Sequence, residues 1–158
     1  VSIDTDKGTS ETSHPLGKEI LAKRMANQWQ AMRKKTTVPS GPVVTSAERD
    51  EKGNITISFK NGTAQGLQAM KPDYSLNASA TKVASPTDEK LEGFEAADAS
   101  GKFSPATATI RGNQLVVSSD DVDRITQVRY LFSGDPNCSS MLYNKQQLPA
   151  SPFIIAIP

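Results

Sequence analysis

The stretch "ETSHP", residues 11 to 15, carries the only histidine of this 158-residue chain, His14. An imidazole titrates near neutrality, so it can take a proton from a serine and return it to a leaving group. Such a base needs an acid to orient its ring and a nucleophile to serve. Three carboxylates lie upstream in the same stretch: Glu11, three residues before the histidine, and Asp4 and Asp6. The nucleophile is harder to place. No G-x-S-x-G elbow occurs. The G-x-S of "GTS" at 8 to 10 puts Ser10 on the same polar loop, with no strand-to-helix turn to expose it. Cys138, in "DPNCSS", has no neighbour that would activate a thiolate and reads as an idle, buried thiol. One histidine and one distant cysteine form no ligand set of known spacing, so no metal site is expected.

The elements around His14 are those of a strand, a loop and a helix. Val1 and Ile3 suit a short strand, and "DTDKGTSETS" at 4 to 13 is polar and turn-rich. Pro15 has the placement expected in a first helical turn, where its missing N–H costs nothing. Leu16, Ile20, Leu21, Met25, Trp29 and Met32 then recur at helical spacing. They predict one apolar helical face with Trp29 in the core, and Lys34 and Lys35 complement the dipole at its end. A loop after a strand's carboxyl end lies at the rim of an open α/β sheet, where ligand clefts form. A lone strand and one amphipathic helix, however, have no sheet of their own to bury against.

"TTVPSGP" at 36 to 42 is a connector, and after it the period changes from 3.6 to 2. "NITISFK" alternates Ile55, Ile57 and Phe59 against Thr56, Ser58 and Lys60. "PATATIR" and "NQLVVSS" flank Gly112-Asn113, a hairpin turn signal. "ITQVRYLF" (125 to 132) and "PFIIAI" (152 to 157) read as further strands, the first with Tyr130 and Phe132 on one core-facing side. Residues 71 to 90 are polar and aperiodic and read as a long surface loop. The expected fold class is therefore α+β and mostly β. Residues 1–38 form a strand–loop–helix belonging to an α/β unit, and residues 39–158 form an antiparallel β-sandwich domain.

Composition narrows the partners. Eighteen basic and seventeen acidic residues give a formal charge of +1, which argues for neither nucleic acid nor a membrane surface as partner. No apolar run approaches the roughly 20 residues of a bilayer-spanning helix. A single cysteine leaves the redox compartment open.

Three stretches resemble one family. "VSIDTD…SHPLGKEILAKRMA" is similar to the closing catalytic segment of the sialate O-acetylesterases, serine esterases within the SGNH-hydrolase group. In that family a strand ending in an acid leads to a "HP" step and a helix with a lysine and an "RLA"-like stretch. Asp4, His14, Pro15, Lys18 and "KRMA" (23 to 26) hold those places here. "LEGFEAADASGKFSPATATIRGNQLVVSS" and "VRYLFSGDPNCSSMLYNKQQLPASPF" resemble the family's trailing β region, and the final "LPASPF" is the most specific match.

The resemblance implies a secreted, periplasmic or lysosomal-like enzyme that removes O-acetyl groups from carbohydrate, such as sialic acid, with no metal or organic cofactor. It implies His14 as the general base. The serine, in a G-Q-S-N-like motif, would lie on an N-terminal portion of the same enzyme, the partner of this chain, which alone would be inactive. Family members often carry an acid two residues before the histidine. That position is Thr12 here, while the wider D-x-x-H pattern points to Glu11. Glu11 is thus a candidate orienting acid, with Asp4 an alternative. The rival reading is a non-catalytic β-sandwich that binds carbohydrate or another protein. Such sugar-binding faces display aromatics, and Tyr143 is the aromatic best placed for exposure, although packing in a turn is favoured for it. His14 separates the two readings, since a binding module has no need of a strand–loop–His-Pro–helix.

Overall fold

A computed structural model describes residues 3–5, 18–73, 84–133 and 138–158. Helix α1 (Lys18–Arg33) is followed by eleven strands among the described residues. These are β1 (Val44–Arg49), β2 (Ile55–Phe59), β3 (Gln68–Pro72), β4 (Ala84–Pro86), β5 (Phe94–Ala97), β6 (Phe103–Pro105), β7 (Thr107–Arg111), β8 (Gln114–Ser118), β9 (Gln127–Tyr130), β10 (Met141–Tyr143) and β11 (Phe153–Ala156). They form three antiparallel sheets, ordered β1-β2-β8-β7, β10-β3-β4 and β11-β9-β5-β6. The mostly-β class read from the sequence is the class observed.

Alternation explains the sheets. Ile55 and Ile57 of β2 and Leu115 and Val117 of β8 point to one side and are fully buried. Met70, Met141, Phe94, Ala96, Val128 and Tyr130 join them from the other two sheets, so all three share one apolar core. Gly112 and Asn113 make the two-residue β7–β8 turn, with Arg111 paired to Gln114 and Gly112 at φ 62°. A positive φ at the first central residue is what this hairpin class demands.

Four sequence expectations are corrected. Ile3–Thr5 form a turn rather than strand, and among the described residues no strand pairs with them. The surface loop expected over 71–90 contains the end of β3 and all of β4, which pair with each other from Met70↔Pro86 to Pro72↔Ala84. Phe132 is exposed, whereas Tyr130 is fully buried. The cause is Leu131, whose φ of 47° breaks the alternation and turns its own side chain into the core. Trp29 is the fourth. It is 58% exposed, beside Met25 at 62% and Met32 at 64%. The apolar positions recur at helical spacing but do not form one core-facing side: Ile20 is buried, while Met25, Trp29 and Met32 face outward.

The helix ends as its sequence allows. Lys35 has φ 52°, Thr36 N–H donates to Ala31 O at 2.9 Å and Lys35 N–H to Met32 O at 3.1 Å. That pair of bonds closes the terminus in the Schellman pattern, with a lysine where glycine is usual.

Candidate functional site

His14, Glu11, Ser10 and Asp6 lie outside the described residues, as does Pro15. The structure describes what stands at either end of the segment that carries them: Asp4 before it and helix α1 after it.

Asp4 is fully buried. Arg24, one and a half turns into α1, donates from Nη1 to Asp4 Oδ1 and from Nη2 to Asp4 Oδ2, both at 2.7 Å. This is a fork-to-fork pair, which fixes direction as well as distance. The Tyr143 hydroxyl, at the end of β10 and itself fully buried, donates to Asp4 Oδ2 at 2.8 Å. A carboxylate taken out of water needs such donors on both oxygens. Burial alone would pull the Arg24 guanidinium down, but the Asp4 hydrogen bonds and charge, with the Tyr143 oxygen nearby, hold it above its ordinary value. Tyr143 therefore packs inside, as favoured, on a strand rather than in a turn.

Below this cluster a groove of about 280 Å³ runs between α1, the connector and the loop after β10. Leu21, Arg24, Met25 and Gln28 line one wall, and Ser40, Gly41, Leu148 and Pro149 are among the residues opposite. Gln28 Nε2 donates across to Pro39 O at 3.0 Å. The connector and the loop touch closely at Gly41: a Cβ there would stand 1.9 Å from Pro149 O. The sequence "YNKQQLPA" folds around Asn144, whose side chain accepts from Gln146 and Leu148 N–H and donates to Ser40 O and Thr63 O. Gln147, at φ 57°, makes the turn back.

Sequence reasoning missed Arg24, Asn144 and Gly41. Arg24 had a signal, as the one cation of α1 beside the apolar stripe that could reach inward at i+4 from Ile20. Asn144 had a local signal for its own turn, through Gln146 and Leu148, but none for Ser40 and Thr63, and the close approach of Gly41 to Pro149 spans about a hundred positions. Cys138 is buried, as expected. Among the described residues no group of three or more His, Cys, Asp or Glu could hold a metal ion, and no helix is long and apolar enough to cross a membrane.

No protein-family model and no curated protein sequence matches this chain. A solved structure does. The chain is similar to a carbohydrate acetylesterase from Xanthomonas citri. The two are 28% identical, with a TM-score of 0.74, over 96% of this chain. The match covers 30% of the esterase, so the chain spans less than a third of that neighbour's length. Nearly the whole of this chain thus has a counterpart within a larger carbohydrate acetylesterase.

Proposed function

We propose that this chain is the C-terminal part of a serine esterase that removes O-acetyl groups from carbohydrate. The observation that carries the reading is the 28% identity to a carbohydrate acetylesterase over 96% of the chain, with a TM-score of 0.74. In this reading residues 1–38 complete an α/β catalytic domain of the SGNH type, and residues 39–158 form the sandwich domain that buttresses it. The exposed face of Met25, Trp29 and Met32 supports it. Three large apolar side chains on one helical face, left in water, mark an interaction surface, and the α/β portion of the same enzyme would cover them. The match to only 30% of the neighbour leaves ample room for such a portion.

The chemistry follows from the residue types. A serine on the N-terminal portion attacks the acetyl carbonyl while His14 takes its proton. Backbone N–H groups on that portion hold the oxyanion. His14 then protonates the departing sugar hydroxyl, and water repeats the cycle to release acetate. Glu11 orients the imidazole. Asp4 is assigned to holding rather than orienting, because both its oxygens are already engaged by Arg24 and Tyr143. The sequence resemblance favours O-acetylated sialic acid as substrate and an exported enzyme.

The test is acetate release from O-acetylated sialic acid and from acetylated plant polysaccharide by the intact enzyme, with fluorophosphonate labelling to find the serine. Acetate release with label on the larger, N-terminal portion is the expected result. Binding of sugar without any hydrolysis would instead make the β region a carbohydrate-binding module.

A further inference from the structure

We propose that Asn61 is the site at which this chain deamidates, and that the isoaspartate formed there loosens the junction held by Asn144.

The chemistry is local to the pair Asn61-Gly62. The backbone nitrogen of Gly62 attacks the side-chain carbonyl carbon of Asn61, gives up its proton and expels ammonia, which closes a succinimide ring. Water then opens the ring. Breaking the bond to Cγ leaves an ordinary aspartate. Breaking the bond to the main-chain carbonyl carbon leaves isoaspartate, whose backbone runs through Cβ and Cγ and is one methylene longer. Water is the only co-reactant, so the proposed esterase activity plays no part.

The structure separates Asn61 from the other asparagines it describes. Asn27 lies inside α1, where the nitrogen that would attack is committed to the helical ladder. Asn54 Nδ2 donates to Asp50 Oδ2 at 2.9 Å, and the β-branched Ile55 follows it. Asn113 Oδ1 accepts from Gly66 N–H at 3.3 Å, and Gln114 follows. Asn144 is buried with its amide fully engaged. Asn61 alone is exposed and precedes a glycine. Neither its amide nor the Gly62 N–H has a hydrogen-bond partner among the described residues. No atom stands within 4 Å of where a Gly62 side chain would be, so the attacking nitrogen is unscreened.

The turn at 60–63 carries the consequence. Thr63 N–H donates to Lys60 O at 3.0 Å, with Gly62 at φ 82° in the position where a type II turn demands it. The Thr63 hydroxyl also donates to Lys60 O, at 2.7 Å, and accepts from Val43 N–H at 3.2 Å. Thr63 O accepts from Asn144 Nδ2 at 3.0 Å. One residue thus ties the turn to the start of β1 and to the loop after β10. An extra methylene between Asn61 and Gly62 pushes Thr63 away from Lys60 and pulls its carbonyl from Asn144. Aspartate leaves the turn at its original length and should be harmless.

The test is to age the purified chain at warm temperature and mildly alkaline pH, then map the amide-to-acid mass gain and isoaspartyl methyltransferase labelling by peptide. Both are expected first in the peptide that holds Asn61, and Asn61→Gln is expected to remove the early gain. The isoaspartyl form, separated by its charge and retention, should unfold about 2–4 °C below the fresh chain, the shift that loss of one such hydrogen bond gives at this length. Asn61→Asp should unfold with the fresh chain. Early gain at another asparagine would overturn the assignment of the site. An isoaspartyl form as stable as Asn61→Asp would overturn its effect on the junction.

Discussion

Asn144 Nδ2 donates to Ser40 O at 2.7 Å and so binds the connector after α1 to the loop after β10. The same amide donates to Thr63 O at 3.0 Å, and its Oδ1 accepts from Gln146 N–H at 3.1 Å and Leu148 N–H at 3.2 Å. Every donor and acceptor of a buried side chain is engaged, and three separate turns of backbone depend on it. Asn144→Ala strands those groups at about 1–3 kcal/mol for each one left dry. A total loss of roughly 3 kcal/mol in urea unfolding is expected, after partial rehydration at the edge of the groove. A loss below about 1 kcal/mol would show that water replaces the amide without penalty.

Gly41 sits in the same junction. A methyl group there would meet Pro149 O at 1.9 Å and its carbonyl carbon at 2.7 Å, both backbone atoms that cannot step aside. Gly101 is the contrast, with φ +76° and open space around it. Gly41→Ala should cost about 3 kcal/mol or more by overpacking. Gly101→Ala should cost about 1 kcal/mol, from the left-handed backbone alone. Thermal unfolding of the two variants side by side checks the order, and equal shifts would mean that the connector can move away from the loop.

Acid should loosen two exposed turns, at a pH below the ordinary carboxylate range. Asp50 is held below the ordinary carboxylate value of 3.8, first by the Asn54 side-chain amide at 2.9 Å, then by the Asn54 and Lys52 N–H groups. Asp98 is lowered likewise by the Ser100 hydroxyl at 2.6 Å and N–H at 2.8 Å. A carboxyl with a depressed folded pKa binds its proton less readily when folded than when unfolded. Its contribution is therefore complete above 3.8 and disappears as pH falls through the lower folded value. NMR titration should find both midpoints below 3.8, with Asn54→Ala raising that of Asp50. An unchanged Asp50 midpoint in that variant would remove the assigned cause.

The exposed helical face yields a prediction with two halves. Trp29 is more than half exposed with the Arg33 guanidinium 4.9 Å from its ring, and Met25, also more than half exposed, stands at the edge of the groove. Met25→Glu and Trp29→Glu should therefore alter the unfolding free energy of the chain by no more than about 0.5–1 kcal/mol, the scale of a surface change plus one exposed cation–π contact. The same substitutions should abolish co-purification with the N-terminal portion of the enzyme. A large loss of stability in the isolated chain, or undisturbed association, would mean that this face is not the joint.

The same face shows what a sequence can and cannot carry. Helical spacing revealed that Leu21, Met25, Trp29 and Met32 share a side, because periodicity is a local property. It could not say what covers that side, since the cover lies in another element. The hairpin at Gly112-Asn113 and the strand Ile55–Phe59 were legible for the same local reason. Phe132 was misplaced because one residue, Leu131, takes a left-handed backbone that no neighbouring residue type announces. Asp4 was legible as an acid near His14, but its engagement by Arg24 and Tyr143 spans 20 and 139 positions and could only be seen in the fold.

That engagement separates the carboxylates when His14 itself is tested. In the intact enzyme His14→Ala should lower acetyl-ester hydrolysis by at least about 10³-fold, as loss of a general base does. A loss under about tenfold would remove His14 from the mechanism. Glu11→Gln should cost less and leave the fold unchanged. Asp4→Asn should behave differently. It leaves the half-buried Arg24 guanidinium facing a neutral amide, at a cost below the roughly 3–5 kcal/mol of a fully buried pair. Its signature is thus a lowered unfolding temperature with activity restored in proportion to the folded fraction on cooling. If instead Glu11→Gln is silent and folded Asp4→Asn has lost as much rate as His14→Ala, then Asp4 orients the imidazole and its bonds to Arg24 and Tyr143 hold the catalytic acid in place.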